Sequence, residues 1–156
     1  MDTTSVRPCS VAAALSVVGE KWSLLVIREL AWGVHRFDEI ARYTGAPRDI
    51  LTSRLRRLES VGVVERRQYQ ERPPRYGYHL TKSGHELRPV LLSLMQWGDR
   101  WAVEAPSVSF EHTCGHKLEL VQTCRACGGE VTGFDLKAKY VEPGWSNLGP
   151  VEPEAA

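Results

Sequence analysis

Glycine spacing constrains this chain first. Gly19, Gly33, Gly45 and Gly62 each close a stretch whose apolar residues recur at helical intervals, where a left-handed C-terminal cap favours a residue without a Cβ. Four helices are therefore expected before Gly62. The first lies near Ser10–Val18, and the second near Glu20–Trp32, with Trp22, Leu25, Val26, Glu29 and Leu30 at helical spacing. A short third helix near Arg36–Tyr43 turns Phe37, Ile40 and Ala41 inward. The fourth opens with Pro47 in its first turn and buries Leu51, Leu55 and Leu58.

After Gly62 the pattern changes to short β-like runs, Val63–Gln70 and Tyr76–Leu80, around the breaker Glu71-Arg72-Pro73-Pro74-Arg75. A hairpin with a proline-rich tip is expected. A long helix should follow from about Thr81–Ser83, with Ser83 and Glu86 as a capping box and a kink at Pro89. Its apolar face (Leu87, Val90, Leu91, Leu94, Trp97, Trp101) is broader than one short domain needs to cover. From Pro106 onward proline, glycine and polar residues rise and no long amphipathic pattern remains. The expected division is a domain over 1–105, a small zinc-ribbon-like module over 106–146 and a flexible tail over 147–156. The 156 residues suit one ordinary domain with an appendage, and 42% hydrophobic with 25% charged residues exclude disordered and collagen-like classes. No apolar run approaches a membrane span and no signal segment opens the chain, so a cytoplasmic location is expected.

A formal charge of +1 conceals a strong asymmetry. Between Arg48 and Arg75 eight arginines stand against four carboxylates, whereas from Pro106 onward four basic residues face seven acidic ones. A polyanion partner suits the middle only. Two short helices, a third with exposed arginines and a basic hairpin form the order of a winged helix-turn-helix. With Leu51, Leu55 and Leu58 inward, Arg48, Thr52, Ser53 and Arg56 point outward, on the face a recognition helix lays in a major groove. Arg48 and Thr52 are candidate base readers, because arginine pairs bidentately with guanine and a threonine methyl can touch the thymine methyl. Ser53 and Arg56 suit either base or backbone contact. Arg57, Arg72 and Arg75 suit phosphates, the last two from the wing tip. The plain alternative is a solvated face whose arginines pair with Asp49, Glu59 and Glu65.

The order of motifs goes further. Residues Cys9 to Trp101 resemble the HxlR-type branch of the bacterial MarR-like winged-helix regulators. The matching stretches are Cys9 with the helix after it, Gly19-Glu20-Lys21-Trp22, Ile27-Arg28-Glu29-Leu30, Arg36-Phe37-Asp38-Glu39-Ile40, Leu51-Thr52-Ser53-Arg54-Leu55, Leu58-Glu59 with Gly62, Pro73-Pro74-Arg75, Tyr78, Leu80-Thr81, Gly84 and Trp97-Gly98. The resemblance implies a homodimer that binds double-stranded DNA at a palindromic operator and regulates transcription, as a repressor in the favoured form. It also implies that the first helix and the long helix after Ser83 form the dimer interface, with Leu15, Leu91, Leu94, Trp97 and Trp101 as candidates; intramolecular core is the alternative for that stripe. Gly77 departs from the expected branched or charged residue and should weaken the second wing strand. The expected architecture is mainly α with a small β wing, plus a small C-terminal Cys-rich β/loop module.

Cys9 holds the position at which the resemblance implies a redox or electrophile sensor, with an ordinary thiol as the alternative. Arg7 and the start of the first helix are close enough in sequence to favour a thiolate. The appendage reads His112-Thr113-Cys114-Gly115-His116, then Cys124-Arg125-Ala126-Cys127-Gly128. One structural zinc per chain would take Cys114, Cys124, Cys127 and either His112 or His116; reduced thiols, a Cys124–Cys127 redox pair or another metal are the alternatives. His35, His79 and His85 read as isolated surface or capping residues, with a ligand or base as the alternative, and Trp32 and Trp145 read as packing residues, Trp145 with the further option of roofing a small-molecule pocket.

A regulator answering a small molecule or thiol chemistry is thus expected. The chief alternative is a zinc-bearing protein-interaction adaptor. No phosphate loop or acid/base constellation supports an enzyme.

Overall fold

The computed structural model describes residues 6–141, 143–146 and 148–151. Most of the tail assigned to 147–156 lies outside the described residues. The chain divides into a larger unit, Ala13–Ser109, and a smaller one formed by Met1–Ala12 with Phe110–Ala156.

Four helices open the chain: α1 (Ser10–Val18), α2 (Lys21–Ala31), α3 (Phe37–Thr44) and α4 (Arg48–Ser60). Gly33, Gly45 and Gly62 take the left-handed conformation expected of them, and Gly45 caps α3. Gly19 does not. There the requirement is steric, because a Cβ would stand 2.5 Å from the Leu15 carbonyl oxygen. Leu51, Leu55 and Leu58 of α4 are fully buried against Val26, Ile27 and Leu30 of α2 and Ile40 of α3. The buried face of α2 is turned slightly from the expected one: Ser23 and Ile27 are inside, while Trp22 and Leu25 are only partly covered. Each fully buried Leu or Ile contributes roughly 1.5 to 3 kcal/mol.

The wing pairs β1 (Val64–Gln70) antiparallel with β2 (Arg75–Leu80), with an irregularity between Gln68 and Gln70. Val64 and Leu80 at its base join the core, so the outer wing is anchored through its inner rungs.

One expectation is corrected here. The long helix after the wing is two helices, α5 (Lys82–His85) and α6 (Arg88–Trp101). Pro89 sits in the first turn of α6, where its missing N–H costs nothing, so it starts a helix instead of kinking one. The cap is Thr81, whose hydroxyl accepts from the Gly84 N–H, while Ser83 donates to the Gly62 carbonyl at 2.8 Å. Gly84 is buried and has no room for a side chain: a Cβ would lie 2.3 Å from the Val63 carbonyl oxygen. Leu87 and Leu91 then pack on the core, and the rest of α6 contains no buried residue.

In the smaller unit, two tight hairpin turns are closed by isolated bridges, Glu111 with Lys117 and Thr123 with Glu130. Two short strands, β3 (Trp145–Ser146) and β4 (Gly149–Pro150), pair antiparallel and reach into the stretch assigned to the tail.

Candidate nucleic-acid interface

On the outer side of α4, opposite the leucine triad, Arg48 and Thr52 have local partners. Arg48 donates from Nη1 to Asp38 Oδ1 at 2.6 Å, and its guanidinium lies 4.8 Å from the Phe37 ring centroid. The first turn of α3 thereby holds the candidate base reader in place. Thr52 spends its hydroxyl hydrogen on the Arg48 carbonyl at 2.7 Å, which leaves its methyl as the distinctive outward group. Ser53, Arg56 and Arg57 are exposed.

The arginines of the basic stretch divide into two groups. Arg48, Arg54, Arg66 and Arg67 have carboxylates within 4.0 Å, namely Asp38, Glu20, Glu59 and Glu65. Among the described residues no ion pair is recorded for Arg56, Arg57, Arg72 or Arg75. These four include the expected phosphate contacts. Arg56 and Arg57 lie on α4, Arg75 opens β2 and Arg72 lies in the turn before it. Arg66 stacks over Tyr76 at 4.6 Å and Arg36 over Tyr69 at 5.4 Å, so the wing carries cations on both an aromatic and a charged footing. The alternative of arginines paired with Asp49, Glu59 and Glu65 holds for Arg66 with Glu59 and Arg67 with Glu65, whereas Arg48 and Arg54 pair with Asp38 and Glu20.

A model of the HxlR-like helix-turn-helix family matches residues 17–106. The chain belongs to the HxlR-like helix-turn-helix family. An HTH-type transcriptional regulator of Mycobacterium tuberculosis is 42% identical over 138 residues, covering 86% of this chain and 85% of the relative. The crystal structure of PA1607, described as a transcription factor, superposes with a TM-score of 0.72 at 31% identity and covers 84% of this chain and 94% of that one. The oxidised form of the redox regulator HypR matches with a TM-score of 0.55 at 35% identity, over 59% of this chain and 96% of its own. Membership makes this HxlR-like chain a transcriptional regulator of the helix-turn-helix type that binds DNA, not an enzyme. Among the described residues no single helix is long and apolar enough to cross a membrane.

The candidate dimer residues are distributed unevenly. Leu15 on α1 and Leu94, Trp97 and Trp101 on α6 are exposed, Trp97 to 59% and Trp101 to 70%. Leu91 is instead partly buried against the core.

Cys9 is exposed and free, immediately ahead of α1. Arg7 donates to the Tyr140 hydroxyl, and its guanidinium also lies over the Tyr140 and Trp145 rings. Trp145 thus serves Arg7 within the smaller unit, while Trp32 is half-exposed beneath the Arg28 guanidinium.

The metal candidates gather only as a pair. Cys124 accepts hydrogen bonds from the Ala126 and Cys127 N–H groups and from the Cys127 thiol, which lower its pKa from the usual thiol value against a smaller opposing effect of burial. Cys114 N–H points to His112 Nδ1 at 3.4 Å, and His116 Nδ1 lies 3.2 Å from the Cys114 carbonyl oxygen. Among the described residues no group of three or more metal-binding side chains converges.

His35 and His79 correct the reading of isolated histidines. Their rings stack, a relationship between residues distant in sequence for which periodicity gives no signal.

Proposed function

We propose that the chain acts as a homodimeric repressor on a palindromic operator, with α4 in the major groove and the β1–β2 wing along the backbone. The observation that carries this reading is the group Arg56, Arg57, Arg72 and Arg75, exposed on α4 and the wing and without recorded ion pairs among the described residues. Guanidiniums not neutralised within the chain are available to phosphates, and charge of this kind supplies the salt-dependent part of DNA affinity. The exposed Leu15, Leu94, Trp97 and Trp101 support a second copy as the cover for α1 and α6, since a seam of aromatic and aliphatic anchors is the usual centre of a stable interface. Exposed Cys9, together with the likeness to a redox regulator, supports thiol chemistry as one input signal, and a small molecule is the other. Such a protein works in the cytoplasm.

The test is recovery of sheared genomic DNA by reduced protein at ~150 mM salt, where non-specific binding is already weak. Fragments sharing an inverted repeat are expected. On such a fragment affinity should fall by about 10³ to 10⁵ between ~50 and ~200 mM salt. Arg75→Ala should reduce the logarithmic slope by about one unit, the share of one phosphate contact. Absence of enrichment together with a flat salt response would replace this reading by the protein-interaction adaptor.

A further inference from the structure

We propose that Cys124 and Cys127 form a two-thiolate seat for a soft metal ion of low coordination number, Cu(I) above all.

The turn that carries the two sulfurs also brings them together. A bridge between Thr123 and Glu130 closes the hairpin; the Cys124 N–H donates to the Gly129 carbonyl at 2.8 Å, and the Gly128 N–H donates to the Cys124 carbonyl at 2.7 Å. These main-chain bonds shape the turn and involve neither thiol. Inside it the Cys127 thiol donates to the Cys124 sulfur, which also accepts from the Ala126 and Cys127 N–H groups. Both cysteines are free and exposed. One proton is therefore shared between two sulfurs at a surface that ions can reach. When both thiols ionise, a small cation takes the place of that proton. A Cβ at residue 129 would stand 3.4 Å from the Cys127 sulfur, so Gly129 keeps that flank of the seat open.

The donor atoms select the ion. Mg²⁺ and Ca²⁺ take oxygen ligands, whereas thiolates favour soft ions such as Cu(I). Two sulfurs complete the shell of an ion that accepts two ligands, while zinc takes four. Cys114 belongs to a different turn, where its N–H points to His112 Nδ1 at 3.4 Å and its carbonyl oxygen lies 3.2 Å from His116 Nδ1. A monovalent ion on two thiolates leaves one negative charge, and the two N–H groups aimed at Cys124 help to offset it. Binding releases one proton from each thiol and consumes no oxidant or reductant. The seat lies in the smaller unit and does not depend on the DNA-binding reading.

The test uses the full reduced chain without oxygen and without DNA. Cu(I) is supplied as its coloured complex with bathocuproine disulfonate, and the fading of that colour reports transfer to the protein. One Cu(I) per chain is expected. Cys124→Ser or Cys127→Ser should each weaken binding by about a hundredfold or more, since even outer partners of a metal ligand are worth about 10- to 100-fold. Cys9→Ser and Cys114→Ser should bind as the original chain does. X-ray absorption of the copper-loaded original chain should find two sulfur neighbours and no nitrogen, a readout that holds whether or not the serine variants fold. Zinc should occupy the same two sulfurs more weakly. No transfer of Cu(I), a nitrogen in its shell, or loss of binding in Cys9→Ser or Cys114→Ser overturns the proposal. Zinc held as tightly as Cu(I), with dependence on Cys114 and on His112 or His116, overturns it in favour of a four-ligand site.

Discussion

The imidazoles of His35 and His79 stack with ring centroids 4.0 Å apart and planes 27° from parallel. His35 lies just before α3, and His79 is on β2. A two-way link beside the stack joins the same elements: His35 Nδ1 bonds the Tyr78 carbonyl at 2.8 Å, and the Tyr78 N–H donates to the His35 carbonyl at 2.8 Å. Gly77 is buried under this junction, where an added Cβ would come to 3.4 Å from His79 Nε2 and 3.5 Å from His35. The glycine that looked like a weakness in the strand is the place where the wing meets the approach to the helix-turn-helix.

The stack makes the wing sensitive to acid. Burial, then the charges of His35 and of Arg67, lower the His79 pKa below its usual 6.5, with Glu65 on β1 opposing them. The folded state therefore favours neutral His79. Its contribution to stability is complete above about pH 6.5 and is lost as pH falls through the lower folded value. Urea midpoints measured at pH 7.5 and pH 5 should show a larger drop in the original chain than in His79→Gln. Equal drops would remove His79 as a cause.

Arg48 is held by Asp38 in the free protein, and the pair is exposed on both sides, 71% and 80%. An exposed pair is worth only about 0 to 1 kcal/mol, so DNA can outcompete it. Arg48→Ala should cost about 1 to 3 kcal/mol of operator affinity and relax preference at one base position. Asp38→Asn should leave that preference and modestly raise affinity. Uniform weakening of all duplexes by Arg48→Ala would reassign the residue to the backbone.

Gly84→Ala places a methyl against the Val63 carbonyl, a backbone atom that cannot swing aside. Overpacking of this kind costs roughly 1 to 3 kcal/mol. The loss should appear in the denaturation midpoint with an unchanged slope, because the surface exposed on unfolding is almost the same. An unaltered midpoint would show that α5 shifts freely over β1.

Cys124 should be the first cysteine alkylated by iodoacetamide near neutral pH, because backbone N–H groups stabilise its thiolate. Stoichiometric zinc should slow the reaction and a chelator restore it. Mass spectrometry of partly modified protein reads both effects. Equal rates at Cys9, Cys114, Cys124 and Cys127 would set aside the special character of Cys124, and failure of zinc to protect would set aside the metal reading.

The elements whose signal is local were legible in the sequence. Leu51, Leu55 and Leu58 mark the inner side of α4 by spacing alone, and all three are buried. Gly45 marks the end of α3 because its left-handed conformation is a local requirement. The break between α5 and α6 was hidden, since Leu87 and Leu91 continue the apolar spacing across it and Pro89 can either kink a helix or begin one. The candidate readers on α4 and the wing followed from residue type and order. Their pairing did not: Arg48 with Asp38, Arg54 with Glu20 and His35 with His79 depend on how separate segments meet.

Arg7 reaches Tyr140 across 133 residues of sequence. A contact of that span has a folding consequence: its two strands of chain can meet only after the intervening helices and wing have condensed, because closing so long a loop in an unfolded chain costs entropy with no local reward. The smaller unit is therefore expected to form last and open first. Amide exchange should find the bridges at Glu111 and Thr123 opening in a separate, earlier event than α4. The segment from Arg7 to Cys9 would then be released from Tyr140 on a timescale set by that opening, with the DNA-binding body still intact.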